Sequence, residues 1–122
     1  MGLIETITFD ELGPIEAKID SGNGAYNVLH GFNIVEHDDK VTFYTVGDKK
    51  ITKDLLEKID INVGSGNIEE RPVVEFDIEI GDNVYPKTKF SIGDREENEY
   101  KILVGKDFIE KLYNKEILLE IE

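Results

Sequence analysis

The stretch Ile15–Gly22, which reads IEAKIDSG, decides how the chain is interpreted. Its first five residues alternate between apolar and charged side chains, the period of a β-strand with one buried face. Asp20, Ser21 and Gly22 follow directly at the end of this strand. An aspartate there can be held by the sheet and face a cleft, a hydroxyl can lock the turn, and glycine lets another backbone approach closely. Taken alone, the triplet is also typical of an ordinary turn.

The rest of the chain shows short apolar segments between turn residues, which is the pattern of an all-β domain. The segment Thr52–Ile59 is compatible with a short helix capped by Thr52 and with an irregular connection. A helix is predicted over Asp107–Tyr113, with Asp107 as its N-cap. We predict a single domain over residues 1–122, a small barrel or sandwich, with strands over Leu3–Thr8, Pro14–Asp20, Phe32–Glu36, Val41–Val46, Ile59–Val63, Val74–Ile80, Val84–Ile92, Tyr100–Val104 and Glu116–Ile121.

The composition argues against several classes of protein. The chain has 14 Lys and Arg residues against 27 Asp and Glu residues, a net charge of −13. This charge repels phosphate, so neither nucleic acid nor an anionic membrane is an expected partner. Cysteine is absent, which excludes disulfides and cysteine nucleophiles. No secretory signal and no membrane-spanning apolar run is visible, so a cytoplasmic location is expected.

The chain has only two histidines, so few imidazole ligands are available for a metal site. His30 follows Val28 and Leu29, so a packed and hydrogen-bonded side chain is the expected role. His37 lies in a charged turn. A zinc site completed by carboxylates stays an alternative, but no metal ligand and no cofactor is predicted. The Gly-x-Gly stretches at 22–24 and 64–66 do not continue into a phosphate-binding motif.

A second motif, Lys101–Ile109, reads KILVGKDFI and combines an apolar strand, a glycine and the predicted helix. Together the two motifs resemble the retropepsin-like aspartic proteases. Those enzymes have two hydrophobic residues before Asp-Thr/Ser-Gly, and later two hydrophobic residues before Gly-Arg-Asp/Asn and a helix. The resemblance is narrower for one family, which is labelled putative ATP-dependent zinc proteases and has a retropepsin-like domain. Its pattern looks like the stretch Ile15–Gly22 followed by Val28-Leu29-His30. The resemblance covers Pro14 to Leu112.

The resemblance implies a small closed acid-protease barrel with one short C-terminal helix. It further implies an aspartic endopeptidase that acts as a homodimer on polypeptide substrates, because one chain supplies one Asp-Ser-Gly motif; a phage or bacterial source would fit. The alternative is an inactive retropepsin fold that serves as a peptide-binding or scaffold module. The site residues it implies are Asp20 as the catalytic group, Ser21 and Gly22 as its support, Asn23, Gly64, Ser65 and Gly66 in the cleft and flap, and Leu103, Val104 and Gly105 in the late motif.

Three positions depart from the family pattern. Asn23 stands where retropepsins usually have alanine, and Gly24 stands where retroviral members have an acidic residue. Lys106 replaces the common arginine, and lysine cannot form the same planar fork to a carboxylate.

Overall fold

The computed structural model describes residues 4–19, 27–62, 66–105 and 108. Strands dominate these residues, so the all-β prediction is confirmed for the part of the chain they cover. A short 3₁₀ turn spans Val46–Asp48. The strands are β1 (Ile4–Phe9), β2 (Gly13–Ile19), β3 (Asn27–His30), β4 (Phe32–His37), β5 (Lys40–Thr45), β6 (Lys49–Asp54), β7 (Glu57–Asn62), β8 (Ile68–Ile80), β9 (Asn83–Gly93) and β10 (Ile102–Val104).

Seven strands form one sheet in the order β1-β2-β10-β3-β9-β8-β7. Strand β1 pairs with β2 along its whole length and also with β8, through Thr8 opposite Glu79 and Phe9 opposite Ile78. This second pairing closes six of the strands into a ring, and β7 extends from β8 as the other arm of a hairpin.

Strands β4, β5 and β6 form a separate three-stranded antiparallel sheet. Both sheets contribute to one hydrophobic core, because Val41, Phe43 and Ile51 belong to the same cluster as the ring residues. At its centre Phe9 packs edge-on against Phe76, with ring centroids 5.2 Å apart, and Phe90 lies 5.4 Å from Phe9.

Several predicted elements are confirmed. The hairpin predicted over residues 32–46 is β4 and β5, and the alternating segment Val74–Ile80 belongs to the longer strand β8. The helical interpretation of Thr52–Ile59 was wrong, and the irregular connection is limited to Leu55 and Leu56, between the end of β6 and the start of β7. The six residues of β6 all have partners in β5, and this cross-strand pairing outweighs the helical spacing of the apolar side chains. Strand β3 was not predicted.

The helix predicted over Asp107–Tyr113 and the strand predicted over Glu116–Ile121 lie outside the described residues, apart from Phe108. Phe108 is buried, and its ring packs edge-on against Tyr85 at 5.1 Å. Within the described ranges no helix is long and apolar enough to cross a membrane.

Candidate functional site

Strand β10 lies between β2 and β3. It runs parallel to β2, with Leu103 opposite Lys18 and Val104 opposite Ile19. It runs antiparallel to β3, with Leu103 also opposite Val28. The last residue before Asp20 and the late apolar motif are therefore neighbours in one sheet, although more than eighty residues separate them in the sequence.

The register assigns these residues to two faces of the sheet, because paired residues point to the same side. Ile19 and Val104 face the hydrophobic core, and Ile102 and Leu29 lie on that side as well. The opposite face carries a row of four residues, one from each of the adjacent strands β2, β10, β3 and β9. In that order they are Lys18, Leu103, Val28 and Ser91, and each is the register partner of the next. On this second face Val28 and Ser91 are buried and Leu103 is half-buried.

Asn27 joins three strands through its side chain. The amide oxygen Oδ1 accepts a hydrogen bond from the backbone N–H of Gly105 at 2.8 Å. The amide nitrogen Nδ2 donates to the carbonyl oxygen of Lys89 at 3.1 Å. The side chain is buried, and the Ser91 hydroxyl donates to the Asn27 carbonyl at 3.3 Å. One side chain thus ties the start of β3 to the end of β10 and to β9.

Arg71 packs against Gly93 at the end of β9. A Cβ atom added to Gly93 would lie 2.6 Å from the Arg71 guanidinium carbon, so only glycine leaves room for this side chain. One guanidinium nitrogen, Nη2, lies 3.2 Å from a carboxylate oxygen of Glu69. Another, Nε, is buried without a hydrogen-bond partner among the described residues.

His30 organises the loop between β9 and β10. Its Nδ1 accepts a hydrogen bond from the backbone N–H of Arg95 at 2.8 Å, so the neutral ring carries its proton on Nε2. Nε2 lies 3.4 Å from a carboxylate oxygen of Glu96. Burial lowers the pKa of His30 below its ordinary value, and the opposing effect of Asp94 and Glu96 does not overcome it. A packed, hydrogen-bonded His30 is the role that the sequence predicted.

Lys101 fixes the same loop from its other end. Its ammonium group donates to the carbonyl oxygens of Arg95, Glu96 and Asn98 at 3.0, 2.7 and 3.0 Å. The Lys101 carbonyl accepts from the backbone N–H of His30 at 2.7 Å. The loop that leads into β10 is therefore held at both ends.

The two histidines are both described and both have hydrogen-bond partners. Within the described ranges no group of three or more His, Asp or Glu side chains is placed to hold a metal. His30 uses Nδ1 for the Arg95 amide, and His37 is exposed in the other sheet, where its Nε2 is hydrogen-bonded to the Thr42 hydroxyl at 2.8 Å.

The predicted site residues fall into two groups. Leu103, Val104 and Gly105 are described and lie at the β2–β10–β3 junction, and Gly66 is exposed with a φ of +76° in the β7–β8 connection. The others lie outside the described residues: Asp20, Ser21, Gly22, Asn23, Gly64 and Ser65. Sequence reasoning missed the roles of Asn27 and Arg71; the available signals were a polar amide just before an apolar run and an arginine inside a strand.

A separate cleft of about 430 Å³ contains none of the predicted site residues. Charged side chains line most of it, and two of its lysines are paired, Lys40 with Asp54 at 2.6 Å and Lys53 with Glu11 at 2.8 Å.

The fold is similar to a solved structure. The crystal structure of Lpg0085 from Legionella pneumophila subsp. pneumophila str. Philadelphia 1, a protein described as having unknown function (DUF785), superposes with a TM-score of 0.75. The two are 27% identical, and the match covers 91% of this chain and 86% of that chain. A scan against protein-family models and a search of curated proteins gave no match. The similarity extends over nearly the whole fold. Because the function of that protein is unknown, the similarity assigns no activity to this chain.

Proposed function

We propose that this chain is a retropepsin-like aspartic endopeptidase that acts as a homodimer, with Asp20 as the catalytic residue of each subunit. The observation that carries the proposal is the parallel pairing of β2 with β10, Val104 opposite Ile19. Asp20 is the next residue after Ile19, and Gly105 is the next after Val104. The apolar strand residues that directly precede Asp20 and Gly105 in the two motifs are thus neighbours in one sheet.

The closure of the strands supports the finer fold assignment. A ring of six strands with β7 paired to β8 outside the ring is consistent with a small acid-protease barrel with a flap. The glycines at 64 and 66 suit a flap that must move. A short C-terminal helix over Asp107–Tyr113 belongs to the same proposal.

The chemistry needs two carboxylates. Two aspartates about 3 Å apart cannot both ionise easily, so one holds a proton while the other acts as base. The ionised carboxylate takes a proton from water, and the water oxygen attacks the peptide carbonyl carbon. The protonated carboxyl group gives its proton to the carbonyl oxygen. The carboxyl group that took the proton from water then gives it to the amide nitrogen as the C–N bond breaks, and the other carboxylate takes a proton from a hydroxyl group of the intermediate, which becomes the new carboxylic acid. No metal ion or nucleotide takes part.

A single Asp-Ser-Gly motif per chain makes dimerisation part of the mechanism. Two subunits together carry twice −13, or −26. This charge opposes association at low ionic strength, where repulsion is least screened. We therefore expect the dimer fraction, measured by sedimentation, and the peptidase activity to rise together as salt is added.

The decisive experiment compares the wild type with Asp20→Asn and the control Asp82→Asn. Asp82 is exposed in the β8–β9 turn, so its substitution removes the same charge far from the junction. Cleavage of a mixture of unstructured peptides is followed by mass spectrometry. We expect Asp20→Asn to lose cleavage by several orders of magnitude while fold and dimer persist, and Asp82→Asn to retain activity.

Three results would contradict the proposal. Equal cleavage by wild type and Asp20→Asn would exclude Asp20 as the catalytic group. Loss of activity with a chelator would indicate a metalloprotease. A dimer that binds peptides without cleaving them would instead indicate a peptide-binding module.

A further inference from the structure

We infer that Asn27 is a positioning residue of the peptidase site, which it holds together by clamping the end of β10 to β3 and β9. The inference rests on the proposed function. It names a residue that lies in neither of the two motifs and that the sequence did not single out.

The clamp uses both ends of one amide. Gly105 donates its N–H to Oδ1 at 2.8 Å, and Nδ2 donates to the Lys89 carbonyl at 3.1 Å. These two bonds span 78 and 62 residues of sequence. The bond to Gly105 is buried and the bond to Lys89 is partly buried, and the Asn27 residue itself is only 5% exposed.

The position of the clamp connects it to the proposed catalytic segment. Gly105 directly follows Val104, and Val104 is the partner of Ile19 in β2. Asp20 follows Ile19 in the sequence. Holding the Gly105 N–H therefore fixes the end of β10 against which the end of β2 is aligned. A small displacement there would misplace the carboxylate, and misplacement by about 1 Å can lower a rate by about a hundredfold.

The site specifically needs an amide. Gly105 offers a donor and Lys89 offers an acceptor, so the side chain must accept on one side and donate on the other. An ionised carboxylate of the same shape could accept from Gly105 but would face the Lys89 carbonyl with a second acceptor. A protonated carboxyl group has one acceptor and one donor and could satisfy both.

The test uses Asn27→Ala, Asn27→Asp and the control Asn98→Asp, which makes the same chemical change at an exposed loop position. Two quantities are measured for each: the hydrogen-exchange protection of the Gly105 amide, and kcat and KM for cleavage of a peptide identified with the wild type. The amides of β5 report on global stability.

In Asn27→Ala we expect the Gly105 protection factor to fall about tenfold or more relative to wild type while β5 remains protected. We expect kcat to fall by a similar factor or more with KM little changed. In Asn27→Asp both losses should appear at neutral pH. The Gly105 protection factor and kcat are each divided by the wild-type value at the same pH. Both ratios should return towards one in acid, where the new carboxyl group becomes protonated. Burial favours this protonation because it raises the pKa of a carboxyl group. Asn98→Asp should match the wild type at every pH.

Loss of Gly105 protection with unchanged kcat would overturn the positioning role. Equal loss of protection in β5 and at Gly105 would show that Asn27 only stabilises the fold. Asn27→Asp activity that does not recover in acid would contradict the donor–acceptor argument. A wild type without any cleavage would instead refute the proposed function, and the Gly105 exchange data would still report whether the clamp exists.

Discussion

The two sheets of this protein differ in how far apart in the chain their paired strands lie. Strands β4, β5 and β6 follow one another in the chain, and each pairs with the next. In the seven-stranded sheet, β10 lies between β2 and β3, so the late part of the chain is inserted between two early strands. Pairing consecutive strands closes only short loops, whereas the inserted strand requires the closure of long ones.

The sheet of β4, β5 and β6 is therefore a local part of the fold, whereas the position of β10 depends on pairing between distant parts of the chain. The buried amide of Asn27 and the predicted late motif lie at the inserted strand. The candidate site is therefore located where the fold depends most on long-range pairing.

The largest effect expected is on stability at the inserted strand. Ile102→Ala removes a fully buried side chain opposite Leu29 and should lower the free energy of unfolding by about 2–5 kcal/mol. Ile51→Ala, the same change in β6, should cost less because Ile51 is 9% exposed and lies in the local sheet. Urea denaturation of both variants measures the difference. Equal losses would show that the two sheets are equally constrained.

The second prediction concerns Gly31, which connects the two regions between β3 and β4. A Cβ atom here would lie 2.2 Å from Cγ2 of Ile92 and 3.2 Å from Cδ2 of Phe43. Gly31→Ala should therefore destabilise the fold by roughly 1–3 kcal/mol through overpacking.

A double-mutant cycle sharpens this prediction. The penalty of Gly31→Ala should shrink in an Ile92→Ala background, because that change removes the closest clashing atom. Additive effects of the two substitutions would show that the backbone moves instead of the Ile92 side chain.

The smallest effect expected is a pH dependence at His30. Burial lowers the pKa of His30 from its ordinary value of 6.5. The unfolded chain therefore binds the proton at higher pH than the folded chain. The stabilisation is complete above the unfolded value and is lost as the pH falls from there through the lowered folded value. Protonation also removes the Nδ1 acceptor of the Arg95 N–H.

The variant His30→Asn isolates this contribution, because an amide oxygen can accept from Arg95 without titrating. The free energy of unfolding of the wild type should decline as the pH falls through the ordinary value of 6.5 and below it, and that of His30→Asn should decline less. His37→Asn is the matched control at an exposed position. A wild-type slope that survives in His30→Asn would assign the titration to another group.

Sequence patterns predicted the local parts of the fold best. The two-residue alternation of Val74–Ile80 and the turn residues within the hairpin at 32–46 are visible in the local sequence, so both elements could be predicted without the rest of the chain. Strand β6 was missed because the apolar residues near its end have helical spacing, and its pairing with β5 prevailed. Strand β3 was missed because its four residues are all buried and show no alternation.

By itself, the sequence determined the all-β class, the acidic surface and the Asp-Ser-Gly and Leu-Val-Gly motifs, since these depend on composition and on neighbouring residues. Only the tertiary structure decided that β10 enters between β2 and β3, and that the Asn27 amide joins Gly105 to Lys89. The physical reason is that such contacts join residues far apart in the chain. A buried donor or acceptor requires a hydrogen-bond partner, but the local sequence does not show which distant residue supplies it.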